Sequence, residues 1–158
     1  MPFKRLTVIT VAGVFSITSA AFAAGHLTPE QQNGIKARQA HMSLNSFNLA
    51  PLGGMAQDKI PYDAEVASAA AANLAALAAM NEAGYWVEGT DSSIEGNRAK
   101  AEIWSDMAGF EAEQVKLAEA TAALAAVAGD GLDALKAAFG PVGQTCGSCH
   151  ESYRAPRQ

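Results

Sequence analysis

The last amphipathic segment of this 158-residue chain constrains its fold most strongly, because two cysteines continue an apolar stripe. Six residues recur at alternating four- and three-residue steps, the spacing of one helix face: Leu135, Phe139, Val142, Cys146, Cys149 and Tyr153. The pattern predicts a helix whose two thiols point to its buried side. Whatever these thiols bind is therefore expected to lie between helices.

Residues 146–150 read Cys-Gly-Ser-Cys-His, the spacing of a covalent haem attachment motif. In such a motif each thiol forms a thioether with a porphyrin vinyl group, and the histidine ligates the iron. A Cys-x-x-Cys pair alone also fits a thiol-redox pair or half of a zinc site. The chain has no other cysteine, and its two other histidines lie more than a hundred residues upstream. The motif therefore predicts one covalently bound haem c on Cys146 and Cys149, with His150 as the proximal iron ligand.

The N-terminus has the pattern of an export signal. Two cations precede an uncharged stretch over residues 6–18, and residues 21–23 supply the small-x-small pattern of a signal peptidase site. The stretch is short for a mature membrane-spanning helix, although an uncleaved anchor is the alternative. We expect a cleaved signal peptide over residues 1–23, with cleavage after Ala23. A single periplasmic domain over residues 24–158, without a membrane anchor, would remain.

The charge of the mature chain limits its partners. Removal of Lys4 and Arg5 with the leader takes the formal net charge from −5 to −7. An acidic chain is a poor match for nucleic acid or an anionic membrane surface, because both attract basic patches. The sequence also offers no general acid–base pair and no nucleophile beside a base, so we do not expect an enzyme.

Capping signals and periodicity predict two helices in the first half of the chain. Thr28 begins a capping box with Pro29 and Gln31, which predicts a helix to about residue 50. Its inward stripe is expected to contain Ile35, Met42 and Leu49. Prolines and glycines between residues 51 and 61 predict a loop. Asp63 then caps an alanine-rich second helix whose predicted apolar stripe is Val66, Leu74, Leu77 and Met80.

The second half of the chain predicts two further helices. The longest connection covers residues 84–97, which are rich in Gly, Thr, Asp and Ser. The third helix has the apolar face Ile103, Met107, Phe110, Leu117 and Leu124. A Gly-Asp-Gly break at residues 129–131 precedes the last helix. These four helices predict an all-α antiparallel four-helix bundle with a covalent haem on its C-terminal helix.

Three groups of residues are similar to those of a known family. They are Cys146-x-x-Cys149-His150-x-x-Tyr153-Arg154 at the C-terminus, Arg38-Gln39 followed by Met42 in the first helix, and Ala-Glu-Ile-Trp-Ser-Asp over residues 101–106. On these residues the mature chain resembles the cytochrome c′ family, the class II c-type cytochromes. Two positions depart from the usual pattern: Gly147 replaces a common lysine, and Asn97-Arg98 replaces a frequent Thr or acidic residue.

The resemblance implies roles for residues at the haem edge. Arg38 and Gln39 match family positions there, where Arg38 can pair with a propionate. Arg154 lies one turn beyond His150, so its cation can lie near the imidazole. The alternative for both arginines is an exposed helix cation, Arg154 then interacting with the helix dipole.

Met42 occupies the position that the family places over the open haem face. The resemblance leaves two roles open for it, a sixth iron ligand or an apolar shield that does not bind. His41 lies about 100° around the helix from Met42 and is expected to be exposed rather than a ligand. Three other methionines are expected in loops or in the core: Met55, Met80 and Met107.

The two roles of Met42 imply two functions. A methionine-ligated iron implies a one-electron carrier that serves redox partner proteins of a respiratory or photosynthetic chain. A five-coordinate iron implies binding of small gases such as NO or CO. A haem-free structural or thiol-redox bundle is a third hypothesis. Family members often pair through their first two helices, so the resemblance also permits a homodimer.

Overall fold

The computed structural model describes residues 26–157, so the predicted signal peptide lies outside the described residues. Its helices are α1 (Pro29–Ala56), α2 (Ala64–Ala78), the one-turn α3 (Glu102–Ser105), α4 (Met107–Val127) and α5 (Leu132–Tyr153). Each long helix packs against the next, and α5 returns to α1, which confirms the predicted four-helix bundle. Among the residues described, no helix has the length and hydropathy to cross a membrane.

The first helix is longer than predicted, because it continues through Pro51 to Ala56. Leu52 and Met55, which lie beyond the proline, are fully buried in the main core. Gly53 lies against Phe139 of α5, and a Cβ there would come within 3.3 Å of the Phe139 ring. Burial against α5 therefore compensates for the hydrogen bond that Pro51 cannot donate. The predicted loop over residues 51–61 is wrong for residues 51–56, which are helical.

The buried stripe of α1 lies one residue away from the predicted one. The predicted positions 35, 42 and 49 lie at its margin, whereas the buried residues are Gly34, Arg38, His41, Asn48, Leu52, Gly53 and Met55. At Gly34 a Cβ would lie 3.1 Å from the carbonyl oxygen of Gly84, so the glycine permits close approach of the loop that follows α2. Polar residues are buried here because that loop supplies their partners, which hydrophobic periodicity does not report.

The second helix begins as predicted. Asp63 caps α2 by accepting hydrogen bonds through Oδ1 from the backbone N–H groups of Glu65 and Val66, at 3.0 Å each. Its predicted apolar stripe is wrong at Val66 and Met80, which are exposed; Met80 also lies beyond the end of the helix. The buried residues are Ala67, Ala70, Ala71 and Leu74. Small side chains face inward because α2 packs closely against both α1 and α4.

The predicted third helix is two helices, α3 and α4, which meet at Asp106. The φ of −134° and ψ of 55° at Asp106 are not helical, and its Oδ1 accepts a hydrogen bond from Gly109 N at 3.1 Å. Asp106 thus caps α4. A Cβ at Gly109 would lie 2.6 Å from the Tyr153 hydroxyl, so this glycine lets α5 approach the start of α4.

Candidate haem-binding site

The Cys-x-x-Cys-His motif lies in the last turns of α5, between two groups of core side chains. Cys146 packs against the larger core, which contains Leu52, Leu124 and Val142. Cys149 packs against a smaller aromatic cluster around Phe110 and Tyr153. Both thiols are half-buried on the inward face, as the sequence predicted.

Two side-chain hydrogen bonds hold the motif against α4. Ser148 Oγ, between the two cysteines, donates to Glu113 Oε2 at 2.7 Å. The Tyr153 hydroxyl donates to Asp106 Oδ2 at 2.9 Å. These contacts fix the rotation of α5 about its axis and therefore the direction of both thiols.

The surroundings of the thiols do not resemble those of a redox-active pair. Burial, with smaller contributions from Glu113 and other nearby groups, raises the pKa of Cys149 to about 11. Burial also raises the pKa of Cys146. Redox-active cysteines have lowered pKa values, because the thiolate is the attacking species. The pocket favours neutral sulfur, which includes both thiols and thioethers.

His150 lines an open cleft of about 370 Å³ at the surface, together with Arg98, Lys100 and Arg154. Burial lowers the pKa of the His150 imidazole, and the cations of Arg154 and Arg98 lower it further. A neutral imidazole is the form that can ligate iron. The structure therefore brings Arg154 close enough to act on His150, as the resemblance implied.

The segment 98–100 pairs with the end of α5 and closes one side of this cleft. Ala99 and Arg154 form an isolated antiparallel bridge, and Arg98 Nε donates to the Ala155 carbonyl at 2.9 Å. Lys100 Nζ donates to the carbonyls of Glu151 and Ser152, at 2.8 and 3.1 Å. Sequence analysis did not assign Arg98 or Lys100 to the site, because nothing local signals a contact across more than fifty residues.

Arg38 is buried, so the alternative of an exposed cation is wrong. Its guanidinium donates to the Tyr85 carbonyl at 3.2 Å, and to both the hydroxyl and the carbonyl of Thr90. It also lies over the Trp86 ring, 5.3 Å from the ring centroid. Arg38 thus fixes the loop after α2 against α1. Gln39, the neighbouring candidate, is exposed.

His41 is 5% exposed, so the expectation of an exposed side chain is wrong. Its Nε2 lies 3.3 Å from Glu82 Oε1, and its ring packs edge-on against Tyr85. Glu82 was not predicted at the site, since nothing in the sequence pairs a loop carboxylate with this histidine. The burial follows from the one-residue shift of the α1 stripe.

The methionines divide between core and surface. Met42, predicted to face inward, is 43% exposed. Met55 is buried in the main core, and Met107 packs beside the aromatic cluster. Met80 is exposed in the turn that follows α2.

These residues fit a covalently bound haem. The thiols lie side by side in surroundings that favour neutral sulfur, and His150 follows them with a neutral imidazole. Across the bundle, Nδ1 of the buried His41 has no hydrogen-bond partner. A haem supplies one-electron chemistry at its iron, and the motif residues would hold it on the inner face of α5.

Comparison with known proteins places the chain in a family. The cytochrome c′ family model matches residues 33–154, and the chain belongs to this family. It is 38% identical to the cytochrome c′ of Cereibacter sphaeroides over 139 residues, which cover 87% of this chain and 93% of that protein. Members of the family carry one covalently bound haem c, so haem c is the cofactor of this chain.

Solved structures of the family have the same fold. The structure of a cytochrome c′ from Rhodobacter sphaeroides matches with a TM-score of 0.78 at 39% identity, covering 80% of this chain and 98% of that one. A nitric oxide complex of a mutant cytochrome c′ from Alcaligenes xylosoxidans matches with a TM-score of 0.71 at 32% identity, covering 83% and 100%.

Proposed function

We propose that this protein is an exported monohaem cytochrome that carries single electrons. In this proposal Cys146 and Cys149 hold the haem by thioethers, and His150 ligates the iron. The protein has no catalytic turnover of its own. Export to the periplasm is supported by the leader pattern of residues 1–23 and by the use of a covalently attached haem.

The observation that supports electron transfer is the position of His150. Its imidazole lines an open cleft at the surface, while the thiols that would hold the haem face the core. Electron transfer needs a haem close to the surface and a place where a partner can dock, but no substrate channel to the iron. The cations of Arg98, Lys100 and Arg154 around the cleft suit a redox partner with an acidic surface.

In this proposal a side chain of α1 would supply a second ligand to the iron. The larger core, against which Cys146 packs, contains residues of α1, so α1 lies across the bundle from the motif. A six-coordinate iron changes little in geometry between its oxidation states, which favours fast electron transfer. Arg38 and Gln39 would then lie at the haem edge, as the resemblance implies.

Gas binding is the second candidate function. Met42 is compatible with it, because the resemblance places this residue over the open haem face, where an apolar side chain can shield the iron without binding it. The nitric oxide complex of the related Alcaligenes protein supports it by analogy. In this case the iron would be five-coordinate and Met42 would restrict access to small neutral molecules.

Optical spectra of the purified holoprotein test these two functions. For an electron carrier we expect low-spin spectra in both oxidation states, a reversible one-electron titration and no change on addition of CO. A high-spin ferrous spectrum that shifts with CO would contradict the carrier function and support gas binding. Intact mass of the same sample would reject a haem-free bundle by showing one added haem.

A further inference from the structure

A carboxylate of α4 lies directly against the haem motif. Glu113 Oε2 accepts a hydrogen bond from Ser148 Oγ at 2.7 Å, and Ser148 is the residue that precedes Cys149. The side chain of Glu113 is only 15% exposed. Glutamate is rarely buried to this extent unless it is paired, so the contact with α5 determines where this carboxylate lies.

A second hydrogen bond fixes the orientation of the same carboxylate. Lys116 Nζ, one turn further along α4, donates to Glu113 Oε1 at 2.6 Å. Because the two donors bind different oxygens, the carboxylate cannot turn toward solvent without losing one of them. The hydrogen bonds from Lys116 and Ser148 lower the pKa of Glu113, which is therefore ionised at neutral pH. Lys116 offsets this charge only in part, since its side chain is 61% exposed and screened by water.

The charge of Glu113 acts on Cys149, the second cysteine of the haem motif. Burial raises the pKa of Cys149 to about 11, and Glu113 contributes more to this rise than any other charged group. The sulfur of Cys149 would be bonded to the porphyrin, so a charge that acts on this atom also acts on the haem edge. The cations of Arg154 and Arg98 act instead on His150. The motif therefore lies between charges of opposite sign.

We propose that Glu113 is a positioning residue that lowers the reduction potential of the haem, with its negative charge held against the motif by Ser148. The inference rests on the proposed electron-carrier function, in which the haem gains and loses one electron. A fixed negative charge stabilises the ferric state relative to the ferrous state, because the ferric state carries one more positive charge. Glu113 thus opposes the effect of Arg98 and Arg154.

The test compares the midpoint potentials of the wild-type, Glu113→Gln and Glu111→Gln holoproteins by spectroelectrochemical titration at low ionic strength. Glu113→Gln removes the charge and keeps an oxygen that can accept from Ser148. At the solution potential that half-reduces the wild type, its ratio of reduced to oxidised haem should rise by roughly two- to fivefold. Glu111→Gln is the matched control. Glu111 is exposed and lies about 160° around α4 from Glu113, so its loss should change the ratio much less.

Ser148→Ala tests whether the hydrogen bond positions the charge. Without the hydroxyl the carboxylate can turn toward solvent, so the ratio should rise, but by less than in Glu113→Gln. In the Ser148→Ala background, Glu113→Gln should have a smaller effect than in the wild type. Far-UV circular dichroism checks that each variant is folded. If Glu113→Gln does not fold, the rise in Ser148→Ala decides the question by itself.

The outcomes separate this inference from the function on which it rests. A ratio in Glu113→Gln that is unchanged or lower, or an equal rise in Glu111→Gln, would overturn the inference and leave the carrier function intact. An equal effect of Glu113→Gln with and without Ser148 would overturn it as well. A wild type without a reversible one-electron titration would overturn both the inference and the carrier function.

Discussion

At the scale of single residues, we expect the charges around His150 to favour reduced iron. Arg154 and Arg98 lower the pKa of the His150 imidazole because a positive charge disfavours further positive charge nearby. The same cations disfavour the ferric state, which carries one more positive charge than the ferrous state. We therefore expect the side chain of Arg154 to contribute to the reduction potential without touching the iron.

We expect Arg154→Leu to lower the midpoint potential by roughly a few tens of millivolts, since a screened charge near the surface acts weakly. Lys59→Leu is the matched control. It removes the same charge at a site far from the haem motif. Lys59 is next to Asp58, which pairs with Lys136 in the first turns of α5. Lys136 lies about 20 Å along the helix from His150. Spectroelectrochemical titration measures both potentials. A higher potential in Arg154→Leu, or an equal fall in the control, would contradict the role of Arg154.

At the scale of helices, Asp106 joins α4 to α5. One carboxylate oxygen caps α4 through Gly109 N, and the other accepts the hydroxyl of Tyr153 at the end of α5. The same residue therefore ends the short α3, starts α4 and orients the helix that carries the haem motif. The sequence predicted one continuous helix here, because the break at Asp106 does not change the spacing of the apolar residues on either side of it.

Asp106→Ala should lower the free energy of unfolding by about 2 kcal/mol, because it removes both a helix cap and the acceptor of a tyrosine hydroxyl. Asp63→Ala, which removes only the cap of α2, should cost about 1 kcal/mol. Urea denaturation of the holoproteins measures both. Tyr153→Phe in the Asp106→Ala background should add little. Full additivity of the two changes would argue against a contact between these side chains.

At the scale of the whole molecule, α1 has an exposed apolar patch. Leu44 and Phe47 lie three residues apart on one face of the helix, and Phe47 is 75% exposed. The resemblance permits a homodimer through the first two helices, and a patch of this kind on the first helix suits that arrangement. Burial of Phe47 against a second copy would remove the largest exposed apolar side chain of the described residues from water.

We expect Phe47→Glu to shift the holoprotein from dimer to monomer, since a charge buried at the interface is costly. Size-exclusion chromatography with light scattering gives the mass directly. Val115→Glu is the control, because Val115 is an exposed apolar residue of α4 and should leave the mass unchanged. A monomeric wild type, or a dimer that survives Phe47→Glu, would be evidence against this interface.

The sequence by itself determined the bundle, the caps of the first two helices and the position of the haem motif. Thr28 and Asp63 begin helices as expected, since a cap depends on residues two or three positions away. Cys146 and Cys149 lie on the inward face, because the helical period alone sets which residues share a face.

Only the tertiary structure decided what each face buries. The helix continues through Pro51 because Leu52 and Met55 gain a core supplied by other helices. His41 and Arg38 are buried because residues 82–90, more than forty positions away, supply their polar partners, an ion-pair contact for His41 and hydrogen bonds for Arg38. Hydrophobic periodicity predicts which residues share a face of a helix. It does not predict burial of a charged or aromatic side chain, because the polar partners that make such burial favourable come from elsewhere in the chain. That is why His41, predicted to be exposed, lies in the interior and Met42, predicted to be buried, lies at its edge.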